Sequence, residues 1–190
     1  MPRPRSFDRD AALGRAVDAF WATGYLGTSM RALLAVTRVP PASLYAEFGG
    51  KAGLFLVAVE RYIEGSRREY ERTLCAGAPG LAVLRRHLDA RACGGDPRGC
   101  LLVNALAERS EVPPDALARA DAFFSWVRGQ YARHLHAAQK GGELRAGAEP
   151  EALALALLAL DQGLALAGKL PVERARLSEA VRALFDAVAA

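Results

Sequence analysis

The chain has 190 residues, of which 52% are hydrophobic, and Ala and Leu supply much of that share. β-branched residues are scarce, so helices are favoured over strands and the fold is read as all-α. The net charge is a modest +4 but uneven: in residues 1–51, Arg3, Arg5, Arg9, Arg15, Arg31, Arg38 and Lys51 stand against Asp8, Asp10, Asp18 and Glu47. A polyanion would be met there, although a merely solvated basic end has the same composition. Cys75, Cys93 and Cys100 form neither an even disulfide set nor a CxxC pair. The start, MPRPRSFDRD, has no apolar run of a secretion signal, so a cytoplasmic protein with reduced thiols is expected.

A first helix is predicted from about Asp8 to Thr23, with Leu13, Ala16, Val17 and Phe20 at helical spacing and Gly24 closing it. Thr28 or Ser29 caps a second helix through Thr37, whose buried face is Met30, Leu33 and Leu34. A short turn (Arg38, Val39, Pro40) leads to a third helix, with Pro41 as its first residue and Ala42–Phe48 as its body. Gly49 and Gly50 end it, and Lys51 opens a fourth helix reaching about Leu74. Further helices are expected at Leu81–Ala92, Cys100–Ser110, Pro113/Pro114 to about Lys140, Glu151–Gly168 and Val172–Val188. That makes nine in all, with Gly141–Pro150 as a linker. The apolar run Ala152–Leu170 is long enough to suggest a membrane span. It carries Asp161, Gln162 and Lys169, so a buried helix is the reading, without membrane association.

Three short helices with a tight turn before the third make a helix-turn-helix arrangement, which a plain three-helix bundle would share. The residues add more. Gly24-Tyr25-x-x-Thr28-Ser29-Met30, then Ala42-Ser43-Leu44-Tyr45-x-x-Phe48-x-x-Lys51-x-x-Leu54, resembles the DNA-binding signature of the TetR family of repressors. The resemblance spans roughly residues 7–57. It implies a nine-helix TetR-like fold, with a DNA-binding domain over 1–50 and an effector-binding and dimerisation domain over 51–190. The partners implied are a double-stranded DNA operator, a second copy of the chain and a small-molecule effector.

The DNA-facing set is Thr28, Ser29, Arg31, Arg38, Pro41, Ala42, Ser43, Tyr45 and Lys51. Leu44 and Phe48 would pin the third helix to Phe20, Leu33 and Leu34, leaving Tyr45 to reach a phosphate. Ala42 and Ser43 are small, so base edges can approach. Thr28 and Ser29 offer hydroxyls at a helix N-terminus. The resemblance implies that Lys51 touches the DNA backbone, and Arg3 and Arg5 form an arm toward DNA. Three departures stand out. Arg38 replaces the usual glycine of the turn, at a cost of roughly 1 kcal/mol if its φ is positive. Pro40 replaces the usual Ser or Thr cap. Glu47 is expected to point away from DNA or to pair with Arg38 or Lys51.

In the second domain, the resemblance implies dimerisation through the last two helices, including Val181, Leu184, Phe185 and Val188 of the final one. Arg98-Gly99-Cys100-Leu101-Leu102-Val103-Asn104 resembles a segment in the branch that includes the N-ethylmaleimide-responsive repressor, where a cysteine senses electrophiles. A helix N-terminus and Arg98 would favour a Cys100 thiolate, against the reading of a small buried filler, which stays open. An effector pocket is read around Cys100, Asn104, Phe123, Trp126 and Tyr131, which also fit a plain core. Such a pocket suits a mostly apolar or electrophilic molecule.

No phosphate loop, HExxH, GxSxG or paired-carboxylate spacing appears, so no enzyme and no cofactor is expected. His87, His134 and His136 are too scattered for a metal site. A helical interaction protein without DNA binding is the remaining alternative.

Overall fold

The computed structural model describes residues 7–75, 77–170 and 174–190, so the arm residues Arg3 and Arg5 and the expected start of the last helix at Val172 lie outside the described residues. Among the described residues there are nine helices: α1 (Arg9–Gly27), α2 (Met30–Thr37), α3 (Pro41–Phe48), α4 (Lys51–Leu74), α5 (Leu81–Gly94), α6 (Leu101–Ala107), α7 (Pro114–Lys140), α8 (Pro150–Ala167) and α9 (Arg174–Val188). The one β feature among them is an isolated antiparallel bridge between Leu144 and Ala189.

The chain forms two compact units, Met1–Gly65 with Leu101–Ala120, and Ser66–Cys100 with Asp121–Ala190. These units do not break at residue 50. The first part of α4, all of α6 and the start of α7 belong with the N-terminal helices, because Leu54, Phe55, Ala58 and Val59 of α4 and Leu101, Leu102 and Ala105 of α6 are buried.

In the first unit, Phe20, Leu33, Leu44, Phe55 and Val59 are fully buried. The Phe20 and Phe55 rings meet edge to face at 4.9 Å, and Tyr25 meets Phe55 at the same distance. α1 is longer than its sequence suggested, since it bends at Gly24 (φ 77°, ψ 176°) instead of ending there. The α2–α3 turn is made by Arg38 at φ 58°, ψ 27°, a left-handed conformation with no glycine to carry it. Pro40 precedes α3 without a side-chain cap, as its lack of an acceptor requires. Where α3 meets α4, a Cβ on Gly53 would overlap the Phe48 carbonyl oxygen, so only glycine lets the two backbones come this close.

In the second unit, α5 packs on α8 and α9. α8 is long and apolar enough to cross a membrane, and 33% of it is buried within this chain. Leu155 and Leu166 are 56% and 53% exposed on one stripe with Ala152, Ala159 and Gly163. On α9, Val181 and Phe185 are buried within the unit, so they are not open to a partner as expected, while Leu184 and Val188 are half-buried. With Leu135, Leu153, Ala156 and Leu157, the side chains of Leu184, Phe185 and Val188 line an apolar hollow of about 20 Å³, no larger than one water. The exposed residues of α9 include Ala180, Ala183 and Ala187 beside the charged Arg176, Glu179, Arg182 and Asp186.

The Arg38 turn yields a direct test. Left-handed backbone costs a non-glycine residue about 1–2 kcal/mol, partly offset by the greater chain entropy that glycine loses on folding. Arg38→Gly is expected to stabilise by up to about 1 kcal/mol, raising the melting temperature by roughly 2–4 °C, and Arg38→Val to lower it.

Candidate nucleic-acid interface and effector core

α3 is short, and its orientation rests on two side chains. Leu44 is fully buried and Phe48 nearly so, four residues apart on one face. The opposite face therefore points outward: Pro41, Ala42 and Ala46 are exposed, Ser43 is half-buried, and Tyr45 is 57% exposed. The charges beneath this face are paired off. Arg9 Nε lies 2.6 Å from Glu47 Oε1, so Glu47 is held by Arg9, not by Arg38 or Lys51, because α1 passes beside the inner side of α3. Arg61 forms a two-pronged pair with Asp10, and Arg15 Nη2 donates to the Thr37 carbonyl at 2.8 Å, answering the C-terminal end of α2. Arg31 and Arg38 remain exposed, and among the described residues neither makes an ion pair.

Ser29 and Lys51 flank this surface. Ser29 caps α2, its hydroxyl oxygen accepting from Ala32 N–H at 3.1 Å, and stays exposed. The Lys51 ammonium sits 4.3 Å over the Tyr25 ring, a cation–π contact that fixes a cation at the start of α4. Thr28 does not belong to the surface. It is buried, and its hydroxyl donates to the Gly24 carbonyl at 2.6 Å and meets Thr23 Oγ1 at 2.7 Å, closing the bend of α1.

The second unit has a polar heart that composition did not announce. Asp161, on the apolar α8, is buried and accepts from Arg91 Nε at 2.6 Å, from Tyr131 Oη at 3.0 Å and from Tyr70 Oη. His87 Nε2 lies 3.2 Å from Tyr131 Oη, and its Nδ1 lies 2.7 Å from Thr73 Oγ1. Since the Tyr131 proton goes to the carboxylate, His87 Nε2–H donates to Tyr131, and Nδ1 is left as an acceptor facing Thr73 Oγ1, whose one proton also has the Glu69 and Tyr70 carbonyls within reach. A directed chain thus runs from His87 through Tyr131 to Asp161. Burial, then the Asp161 charge, pushes both phenols well above the ordinary tyrosine range. Burial works against the Arg91 charge, yet Asp161 beside it holds that guanidinium above its usual range.

Residues 12–58 match the tetR family of bacterial regulatory proteins, and residues 80–184 match the tetracyclin repressor-like C-terminal domain. The chain belongs to the tetR family. It is 37% identical over 107 residues to the HTH-type transcriptional repressor ComR of Escherichia coli (strain K12), a match covering 54% of this chain and spanning about half, 51%, of ComR. A structure of a cysteine mutant of the TetR family transcriptional regulator CifR, complexed with 26-bp double-strand operator DNA, is 32% identical. It covers 98% of this chain and 99% of CifR with a TM-score of 0.81. The reduced form of E. coli NemR, 24% identical with a TM-score of 0.78 and covering 96% of both chains, shares the fold.

Within this TetR-family chain the expected effector residues fall in different places. Phe123 and Trp126 stack at 5.8 Å, both meet the Tyr70 ring, and the Arg67 guanidinium lies 4.6 Å over Trp126. Tyr131 is fully buried in the Asp161 chain. Cys100 is half-buried one residue before α6. Arg98, expected to serve Cys100, instead grips Asp96 with two prongs at 3.0 Å. Asn104 lies on α6 in the other unit. Asp161, Arg91, Tyr70, His87 and Thr73 were missed by reading the sequence. The available signal was a lone Asp inside the longest apolar run.

His87 supplies a pH test. Burial lowers it from 6.5 to about 4, with Arg91 and His134 also disfavouring its proton while Asp161 and Glu69 favour it; Tyr70 and Tyr131 complete its surroundings. Above pH 6.5 neither folded nor unfolded chain is protonated there. Between about 6.5 and 4 only the unfolded chain takes the proton, so stability falls as pH drops, by about 3 kcal/mol in all. Urea unfolding at pH 7 and 4.5 is expected to show this loss, and His87→Gln to flatten it.

Proposed function

We propose that this TetR-family protein is a homodimeric transcriptional repressor that binds a near-palindromic operator and lets go when a small molecule or a modified Cys100 favours its non-binding state. The observation that carries the reading is the outward face of α3. Pro41, Ala42, Ser43 and Tyr45 present small side chains and one phenol at a helix start, fixed from behind by Leu44 and Phe48. Such a helix fits a major groove, while Ser29, Arg31, Arg38 and Lys51 provide hydroxyl and cationic contacts for the phosphates on either side. That CifR, similar over nearly the whole chain, is complexed with operator DNA supports the same role here. The protein would act in the cytoplasm, and the reading needs no catalytic step.

For dimerisation, the exposed stripe Ala152, Leu155, Ala159, Gly163 and Leu166 of α8, with Ala180 and Ala183 of α9, suits a four-helix bundle about a two-fold axis. For sensing, Cys100 is the electrostatic neighbour of Tyr70 and Arg91, so an adduct on it disturbs the groups that hold Asp161. α4 carries Tyr70 and Thr73 in one unit and Lys51 in the other, which makes it the element through which that disturbance reaches the DNA contacts. A preference for the non-binding state of about 2.7 kcal/mol lowers operator affinity a hundredfold.

Duplex binding should weaken linearly in log affinity against log salt. Tyr45→Ala is expected to cost tenfold or more, and Lys51→Gln to reduce the salt slope by about 1. Absence of duplex binding at low salt would contradict the reading. An alkylating electrophile is expected to release the wild-type protein from DNA and to leave Cys100→Ser bound; equal release of both excludes the thiol route.

A further inference from the structure

Glu108 stands just past the end of α6, at Ala107, and its side chain reaches the bend of α1 within the first unit. Its Oε2 accepts from the Leu26 N–H at 3.0 Å, across 82 residues of sequence. The bend explains why this N–H seeks an acceptor. Gly24 leaves the helical path, and N–H groups beyond a helix break lose their carbonyl partners one turn back. The bend also makes room for the acceptor, since a Cβ on Gly24 would overlap a Glu108 carboxylate oxygen.

The short segment so held, Tyr25 to Ser29, does two further things. Its Tyr25 ring carries the Lys51 ammonium, and its Ser29 caps α2. Both Lys51 and Ser29 are among the DNA contacts proposed above. The Thr28 hydroxyl, tied to the Gly24 carbonyl, keeps the segment folded on itself, so it is placed as one piece.

We propose that Glu108 is a positioning residue for operator binding: by accepting from Leu26 N–H it sets the Tyr25–Ser29 segment, and with it the Lys51 cation and the start of α2, in register with the phosphates. The proposal rests on the DNA-binding reading. It differs in sign from simple electrostatics. Removing an anion from a DNA-binding unit should tighten binding through charge, whereas loss of positioning weakens it.

The test uses full-length protein and the duplex that the wild type enriches from a random pool, titrated across salt. Glu108→Gln keeps a carbonyl acceptor for Leu26 N–H and is expected within threefold of wild type. Glu108→Ala, or Glu108→Met where the alanine variant does not fold, is expected to lose at least tenfold, with a shallower salt slope because the Lys51 cation leaves its register with the phosphates. Backbone exchange at Leu26 should quicken in the variants lacking an acceptor. Alanine or methionine variants that bind as well as wild type, a glutamine variant as weak as they are, or failure of both acceptor-less variants to fold would overturn the proposal. A wild type that binds no duplex defeats the DNA-binding reading itself, and that result is distinct from these.

Discussion

The burial of Leu44 and Phe48 is the constraint on which the N-terminal unit depends. An eight-residue helix has too few internal bonds to hold itself, so α3 exists because its inner face is packed. Once those two side chains are inside, the remaining positions have no freedom of placement: Tyr45 and Ala42 must face out. The Phe48 carbonyl lies so near Gly53 that α4 begins directly behind α3, and Arg38 accepts a strained backbone so that α2 can turn back in time. The strained turn is thus a consequence of the packing. Structural cost has accumulated next to the surface that would meet DNA.

The second unit depends on a different device. A carboxylate buried in α8 would be ruinous alone; here one guanidinium and two phenols answer it, and a neutral histidine continues the chain of hydrogen bonds. Removing one partner of such a set typically costs about 3–5 kcal/mol, because the rest stays buried without it. The set ties α4, α5, α7 and α8 together through directional bonds, where an apolar core would give only contact.

Much of the fold was legible because helices announce themselves by period and punctuation. Pro41, Gly49 and Lys51 mark element ends that the structure reproduces to the residue, and Pro114 lies within one. The outward Tyr45 followed from the Leu44–Phe48 spacing alone. What stayed hidden depends on distant pairing. Nothing near Glu47 in sequence names Arg9 as its partner, and nothing near Asp161 names Arg91 or Tyr70. Thr28 was misplaced for a related reason: a hydroxyl before a helix looks like a cap, but the bend at Gly24 turns it inward to a carbonyl four residues back. The α9 residues Val181 and Phe185 were assigned to a partner because an apolar stripe does not say whether its own chain covers it.

The most direct measurement is to let the purified protein select duplexes from a random pool and to read the enriched sequence. Two copies of the α3 surface related by a two-fold axis predict an inverted repeat, with half-sites one helical turn, about 34–36 Å, or a multiple of it apart. Enrichment of a single unrepeated element, or of nothing at all, would contradict the account.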